Sequence, residues 1–171
     1  GMLGSKHWAA NPSVPVSKVR AAVCFDMVGR LRKDHLHVFG IRTGWGLRRR
    51  LSEANEETGL WLEFPWRLQA NSDHWPLIER RVPTLLFHTG THGQYHRPSD
   101  DAHRVNSEGM RAITRLLFRY LDELANADQL PGYRPEGRRE SETTRRRHQR
   151  LLPALPGRLG LAWSRKTPEQ G

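Results

Sequence analysis

One stretch of the sequence, residues 73–110, concentrates side chains that are typical of metal sites. It contains the pair Asp73-His74 and the hexapeptide Tyr95-His96-Arg97-Pro98-Ser99-Asp100. Imidazole nitrogens and carboxylate oxygens are common zinc ligands. An earlier carboxylate, Asp26, follows an apolar segment and precedes Met27-Val28-Gly29. These residue types predict metal-ligand chemistry in this part of the chain.

Each of these side chains also has an ordinary structural interpretation. Asp26 should emerge at the carboxyl end of a strand, where open α/β sheets place their ligands, but an aspartate before a glycine-containing turn commonly caps that turn. Local sequence alone favours the cap. Asp100 could orient His96 or cap the following helix, and the sequence does not separate these roles. Most other histidines are predicted to be isolated surface residues: His35, His37, His103 and His148.

Together with Cys24-Phe25-Asp26-Met27-Val28-Gly29, these motifs resemble the C-terminal half of a zinc exopeptidase family. The family is that of the di-zinc aminopeptidases, which also includes glutamate carboxypeptidases and glutaminyl cyclases. The resemblance spans residues 4–130 and implies that Asp26 ligates one zinc ion and His96 a second. It also implies that the hydroxyl of Tyr95 helps to stabilise the oxyanion of the tetrahedral intermediate.

The same resemblance assigns supporting roles to other residues. Asp73 and His74 are expected to line the pocket without binding zinc directly, and Asp100 is a candidate to orient His96. The sequence departs modestly from the family pattern, because Asn71 replaces a usual glycine, Leu77 a phenylalanine and Gln94 an aspartate.

Two elements of the family's zinc site have no counterpart in this sequence. The family uses a His-x-Asp pair, whose aspartate bridges the ions, and a Glu-Glu pair that supplies the general base. The chain contains no His-x-Asp, and its Glu56-Glu57 follows Asp26 instead of preceding it, so we interpret that pair as a solvated helix face. A catalytic zinc normally has three protein ligands. We therefore expect weak occupancy by the two zinc ions and little hydrolytic activity for the chain alone.

The resemblance implies a zinc-dependent aminopeptidase acting on the N-terminal bond of a peptide substrate. Two alternatives remain open: a non-catalytic interaction module that keeps the peptidase fold, and an incomplete gene product whose missing elements are encoded upstream. Substrate preference and compartment are not predicted, although family members are often exported.

Strand and helix patterns alternate along the chain, which indicates an α/β fold. We predict a three-layer αβα sandwich with a mostly parallel or mixed central sheet, incomplete at the N-terminus. The segment 19–27 is interpreted as a central strand, and further strands are predicted at 36–39, 60–64 and 82–88. Helices are predicted at 46–58 and, from an apolar stripe with an asparagine or serine cap, at 106–126.

Composition separates residues 1–130, the peptidase-like domain, from a basic, proline- and arginine-rich tail at 131–171. More than half of the net charge of +10 lies in this tail, without the interleaved aromatic residues of a single-strand binder, so no nucleic-acid partner is expected. Leu159-Gly160-Leu161 resembles the opening of a PDZ module, or is an ordinary apolar tail. No membrane segment or signal peptide is predicted, and the single cysteine, Cys24, is interpreted as a buried side chain, not a nucleophile.

The absent part of the family domain should leave a strand edge exposed. Exposed edges pair readily with other chains, so we predict a homo-oligomer formed through that edge.

Overall fold

A mixed four-stranded sheet organises the part of the chain that the computed structural model describes, residues 1–130, 132–139 and 141–151. The strands are β1 (Ala22–Phe25), β2 (His35–Phe39), β3 (Trp61–Glu63) and β4 (Thr84–His88), in the order β1-β4-β2-β3. Strands β1 and β4 are parallel, as are β2 and β3, whereas β2 runs antiparallel to β4. The prediction of an α/β fold with a mixed sheet is confirmed.

The described residues contain five α-helices, and the first four of them cover the two faces of this sheet. The five helices are α1 (Leu3–Ala10), α2 (Leu47–Ala54), α3 (His74–Glu79), α4 (Ser107–Ala125) and α5 (Glu142–Leu151). On one face α2 packs against α4, and on the other α3 contacts β1 and β4 and is itself covered by α1. This arrangement corresponds to the predicted αβα layers.

The main core lies between the sheet and the pair α2 and α4. Alternate residues of β2, Leu36 and Val38, face the core together with Leu85 and Phe87 of β4, and all four are almost completely buried. Each fully buried apolar side chain of this size contributes about 1.5–3 kcal/mol to folding. The helices supply the opposing stripe: Leu47, Leu51, Ile113, Leu116, Tyr120 and Leu124.

The predicted long helix at 106–126 is confirmed, and so is the predicted asparagine cap at its start. The Asn106 side chain accepts a hydrogen bond from the backbone N–H of Gly109 at 2.8 Å, which satisfies one of the free donors at the helix N-terminus. The strands predicted at 36–39, 60–64 and 82–88 are also found, with ends shifted by a residue or two.

Two secondary-structure predictions need correction. The segment 19–27 is not a central strand: its four-residue strand β1 is the last in the described sheet, and Phe25 is 63% exposed. The helix predicted at 46–58 ends at Ala54, because the Asn55 side chain bonds both the N–H and the C=O of Leu60 and turns the chain. A poorly alternating apolar pattern could not distinguish a central strand from an edge strand.

Helices α1 and α3 were not predicted. Helix α3 has only six residues, too few for a periodic apolar pattern, and contains Pro76. Proline is tolerated there because it lies in the first turn, where a backbone N–H has no partner within the helix.

Residues 132–139 stay attached to the sheet domain. The N–H of Arg134 donates to the carbonyl of Thr43 at 2.8 Å, and the hydroxyl of Tyr133 donates to the carbonyl of Ile78 at 3.1 Å. The domain boundary at residue 130 remains a prediction, and the segment Leu159-Gly160-Leu161 lies outside the described residues. None of the helices in the described part of the chain is long and apolar enough to cross a lipid bilayer.

Two tyrosine-to-phenylalanine substitutions should have opposite effects on stability. The hydroxyl of Tyr120 is buried without a hydrogen-bond partner, whereas that of Tyr133 bonds Ile78. We expect Tyr120→Phe to be neutral or to stabilise the fold, and Tyr133→Phe to lower the free energy of unfolding by about 1 kcal/mol. Urea denaturation followed by circular dichroism measures both. A larger loss for Tyr120→Phe than for Tyr133→Phe would contradict this account of the core.

Candidate functional site

Asp26 lies at the carboxyl end of β1, as the sequence predicts. Its backbone N–H donates to the carbonyl of Phe87 at 3.0 Å, so the chain leaves the sheet beside the end of β4. The hydroxyl of Ser72 donates to Asp26 Oδ2 at 2.8 Å, and the carboxylate is solvent-exposed. The next residue, Met27, has a φ of 55° and its carbonyl accepts a hydrogen bond from the Thr89 hydroxyl. The local backbone thus directs the carboxylate away from the sheet.

Tyr95 and His96 lie on the loop between β4 and α4. Their rings stack with centroids 3.8 Å apart, and both side chains are exposed. His96 has a φ of 54°, a conformation uncommon for residues other than glycine, and such backbone outliers are enriched at functional sites. Asp26, Tyr95 and His96 all line one cleft of about 370 Å³, so the structure brings together residues that lie about 70 positions apart in sequence.

Asp100 lines the same cleft but is bonded to Arg30. Its Oδ1 accepts from the Arg30 guanidinium at 2.5 Å, and its Oδ2 is 3.7 Å from Nε2 of His92. The hydrogen bond from Arg30 holds the pKa of this carboxyl below its usual value. Since Asn106 caps α4, the structure does not support the capping role for Asp100. His92 thus lies beside Asp100, and the orientation of His96 by Asp100 remains a prediction.

His74, the first residue of α3, is almost completely buried. Neither ring nitrogen makes a hydrogen bond of normal geometry, although the backbone of Gln69 lies close enough to favour the charged ring slightly. Burial dominates and lowers the pKa of His74. The neighbouring Asp73 accepts a hydrogen bond from the Ser5 hydroxyl at 2.6 Å, which links the start of α3 to α1.

A second cleft of about 250 Å³ adjoins the first, because Met27 and Tyr95 line both. His74, His37 and His88 line this second cleft. Burial lowers the pKa of His37 and of His88, so these rings favour the neutral form. The two clefts together form an open, histidine-rich surface at one end of the sheet.

The types of donor in the first cleft suit zinc, but the family resemblance implies only two of these side chains as ligands. Asp26 supplies a carboxylate and His96 an imidazole, whereas a catalytic zinc normally has three protein ligands. Among the described residues, three donor side chains converge elsewhere, at His35, His37 and Glu63. Asp26 and His96 alone are therefore too few to complete the coordination of even one catalytic zinc ion.

The prediction that His35 and His37 are isolated surface residues is wrong. Their rings lie 4.7 Å apart, and both approach the carboxylate of Glu63. The signal in the sequence was the spacing His35-Leu36-His37, since alternate residues of a strand point to the same face. Glu63 could not have been added from sequence, because its partner strand was unknown.

Two other sequence interpretations agree with the structure in part, because Cys24 is half-buried and Glu56-Glu57 follow helix α2 instead of lying on its face. Burial, with smaller effects from Asp73 and Asp26, raises the pKa of the Cys24 thiol to about 11, so it stays protonated at neutral pH and is a poor nucleophile. Glu56 and Glu57 are exposed in the turn after α2, and Glu57 pairs with Arg119.

Comparison with known proteins identifies the class. The model of peptidase family M28 matches residues 1–121. The aminopeptidase LapA of Legionella pneumophila is 24% identical, with a TM-score of 0.63, over 75% of this chain and 37% of that one. The zinc aminopeptidase BSAP of Bacillus subtilis is 20% identical, with a TM-score of 0.63, over 78% of this chain and 36% of that one. No curated protein sequence matched.

An aminopeptidase from Aneurinibacillus sp. strain AM-1 is 21% identical, with a TM-score of 0.59, over 78% of this chain and 31% of that one. The chain thus spans about a third of the length of the structures it matches. Fold and family together define a metallopeptidase-type α/β domain, of which this chain contains a part. The chain belongs to peptidase family M28.

The stability of the fold should decrease in acid, and His74 should contribute to that decrease. Because burial favours the neutral ring, the unfolded chain binds the His74 proton at higher pH than the folded chain does. Protonation therefore favours unfolding once the pH falls towards 6.5, the ordinary histidine value. We expect His74→Gln to reduce the loss of unfolding free energy between about pH 7.5 and about pH 5.5.

Urea denaturation at both pH values measures this difference. The exposed His103 offers a matched control, and His103→Gln should keep the wild-type dependence. Part of the dependence should survive in His74→Gln, because His37 and His88 have pKa shifts in the same direction. Identical pH dependence in wild type and His74→Gln would argue against the buried neutral ring.

Proposed function

We propose that this chain contributes to zinc-dependent hydrolysis of N-terminal peptide bonds, as part of an aminopeptidase-type site. The observation that carries the proposal is that Asp26, Tyr95 and His96 line one cleft at the carboxyl ends of β1 and β4, in a chain of peptidase family M28. The structural relatives are aminopeptidases, and the one from Bacillus subtilis is a zinc aminopeptidase.

Each of the three side chains has a role that its chemistry supports. Asp26, oriented by the hydroxyl of Ser72, offers a carboxylate oxygen to one ion, and His96 offers a ring nitrogen to the other. Tyr95 presents a hydroxyl that can donate a hydrogen bond to the oxyanion of the tetrahedral intermediate. Paired zinc ions in such sites polarise the substrate carbonyl and activate a water molecule.

In this proposal Asp73 and His74 support the zinc site without binding an ion. Ser72 bonds Asp26 and Asp73 bonds Ser5, so the start of α3 fixes the Asp26 carboxylate relative to α1. His74, on α3, lines the second cleft together with Tyr95. Asp100 restrains Arg30 and His92 at the rim of the cleft.

The chain alone should not catalyse hydrolysis. The sequence contains no His-x-Asp pair, and Glu56-Glu57 lies in the turn after α2 and pairs with Arg119 through Glu57. Without a bridging carboxylate and a general base, neither ion has its full ligand set and the water has no proton acceptor. We therefore propose that the remaining elements must come from additional polypeptide.

The activity test uses a fusion. The region of the Bacillus subtilis aminopeptidase that this chain does not match is joined to residues 4–130 of this chain, because the family resemblance implies that such a region carries the His-x-Asp and Glu-Glu elements. We expect zinc-dependent release of p-nitroaniline from leucine p-nitroanilide by the fusion and none by the chain alone. Asp26→Asn or His96→Ala should lower the fusion's kcat/KM by roughly 100-fold or more, because each removes a zinc ligand.

The control is His103→Ala in the same fusion, which removes an exposed histidine outside the cleft. Circular dichroism and size-exclusion chromatography establish whether each fusion is folded. A folded, zinc-loaded fusion without activity, or one equally active without Asp26 and His96, would refute the assignment. Activity of the unmodified chain alone would refute only the requirement for additional polypeptide.

The second candidate function is a non-catalytic interaction module that keeps the peptidase fold. It is favoured by the sequence, which has neither a His-x-Asp pair nor a Glu-Glu pair before Asp26. The two proposals differ in the fusion experiment, because a module whose cleft has lost its catalytic geometry should not regain activity when the missing elements are restored.

We also propose that the chain associates through β1. This strand is the last in the described sheet and pairs only with β4, and its Phe25 side chain is 63% exposed. An unpaired strand edge next to an exposed aromatic side chain favours association with a second copy of the chain.

Phe25→Glu should therefore convert an oligomer into a monomer. Light scattering coupled to size-exclusion chromatography at micromolar concentration measures the mass of each species. Phe118→Glu is the matched control, because Phe118 is 72% exposed on α4, away from the strand edge, and should leave the mass unchanged. A wild-type chain that is already monomeric contradicts the proposal.

A further inference from the structure

The side chains of His35, His37 and Glu63 form a group of donors on the sheet face opposite the main core. His35 and His37 alternate with the buried Leu36 and Val38 along β2, so both histidines project from the same face. The parallel pairing of β2 with β3 aligns His37 with Glu63. The register of two strands therefore places two imidazoles and one carboxylate side by side.

The distances among the donor atoms suit a small metal ion. Glu63 Oε2 is 2.7 Å from His35 Nε2 and 3.3 Å from His37 Nδ1, and the three donor atoms all lie within 4.8 Å of one another. Tetrahedral zinc with ligands at its usual bond lengths separates neighbouring donors by about 3.3–3.5 Å. Side-chain adjustments of about 1 Å would suffice to bring all three donors onto one ion.

A second observation supports a ligand at this point. His35 Nε2 is buried and, although close to the carboxylate, forms no hydrogen bond of normal geometry. A buried polar atom without a properly directed partner is unusual in a folded protein. An ion between the two side chains would satisfy both the nitrogen and the carboxylate oxygen.

The surroundings hold the donors without filling the site. The ring of Trp61 stacks on that of His35 with centroids 4.8 Å apart. Arg32 is a cation near His37, but its guanidinium donates to the carbonyls of Thr89 and Thr91, and the Glu63 carboxylate offsets its charge. Gly90 leaves room beside the other face of the His37 ring, where a Cβ would approach Nε2 to 3.5 Å.

We propose that His35, His37 and Glu63 bind a divalent transition-metal ion, with Zn²⁺ as the probe. Two imidazoles and one carboxylate are donors that zinc accepts, and three protein ligands leave one position for water. The site shares no residue with Asp26 and His96. A bound ion would clamp β3, an edge strand of only three residues, to β2.

The binding test first removes Asp26 and His96, the two side chains proposed as zinc ligands in the first cleft. The untagged chain carrying Asp26→Asn and His96→Ala is titrated with Zn²⁺ by calorimetry, so that the remaining binding reports on the proposed site. We expect one ion per chain. Adding Glu63→Gln, which keeps the side-chain shape and removes the charge, should weaken the affinity by roughly 100-fold or more. His37→Asn should have the same effect, and His103→Gln none.

Trp61 provides a local readout. Because the Trp61 ring stacks on His35, paramagnetic Co²⁺ at the site should quench Trp61 fluorescence. Co²⁺ should cause no such decrease in fluorescence in Trp61→Phe, which lacks the fluorophore, or in Glu63→Gln, which lacks a ligand. Thermal melts without metal establish that each variant folds as its parent does, and added Zn²⁺ should raise the midpoint only when the three donors are intact.

Two results would overturn the proposal. The first is no Zn²⁺ binding in the Asp26→Asn, His96→Ala background, which would leave the cluster as an ordinary histidine–carboxylate group. The second is binding that Glu63→Gln and His37→Asn do not weaken. Neither result bears on the aminopeptidase proposal, whose test is the activity of the fusion.

Discussion

The antiparallel pairing of β2 with β4 determines what meets at the functional end of the sheet. Because the two strands run in opposite directions, His37 in the middle of β2 is aligned with His88 at the end of β4. Strand β1 is parallel to β4, so Asp26 emerges at the same end. Reversing either direction would place these side chains at opposite ends of the sheet. One topological feature therefore brings the cleft and the histidine–glutamate cluster next to each other.

The pairing itself depends on burial. Strand β4 is inserted between β1 and β2 and is buried over most of its length, with Leu85 and Phe87 on the main core and Leu86 on the other face. Parallel and central strands are stable only when both faces are covered, which α2 and α4 do on one side and α3 with α1 on the other. The loops that carry Asp26 and His96 are thus exposed segments on a rigid frame, which is where α/β proteins place binding residues.

The donor count is the main physical constraint on function. Asp26 and His96, the two zinc ligands that the family resemblance implies, cannot by themselves hold two ions, whereas the second group presents three donors close together. The chain spans about a third of the length of its structural relatives, and its sequence contains no His-x-Asp pair. This constraint explains why family membership and catalytic competence are separate questions for this chain.

Elements with a strong periodic signal were predictable. Helix α4 carries an apolar stripe over five turns with an asparagine cap, and β2 alternates half-buried and buried residues, so both were identified nearly to the residue. Helix α3 was missed because six residues give no period, and β1 was misplaced because an apolar run does not specify how many neighbours a strand has. Its edge position depends on pairing with β4, about 60 residues away.

The sequence by itself determined the family and the fold class, and it drew attention to Asp26, Tyr95 and His96 of the cleft, because these rest on local motifs and on side-chain types. Only the tertiary structure decided what those side chains contact. Asp100 meets Arg30, Asp73 meets Ser5, and Glu63 meets two histidines of another strand. The physical reason is register: a strand's side chains alternate between faces, so a shift of one residue in the β2–β3 pairing would move Glu63 to the opposite face of the sheet. No local pattern fixes such a pairing, since it depends on the packing of the whole sheet.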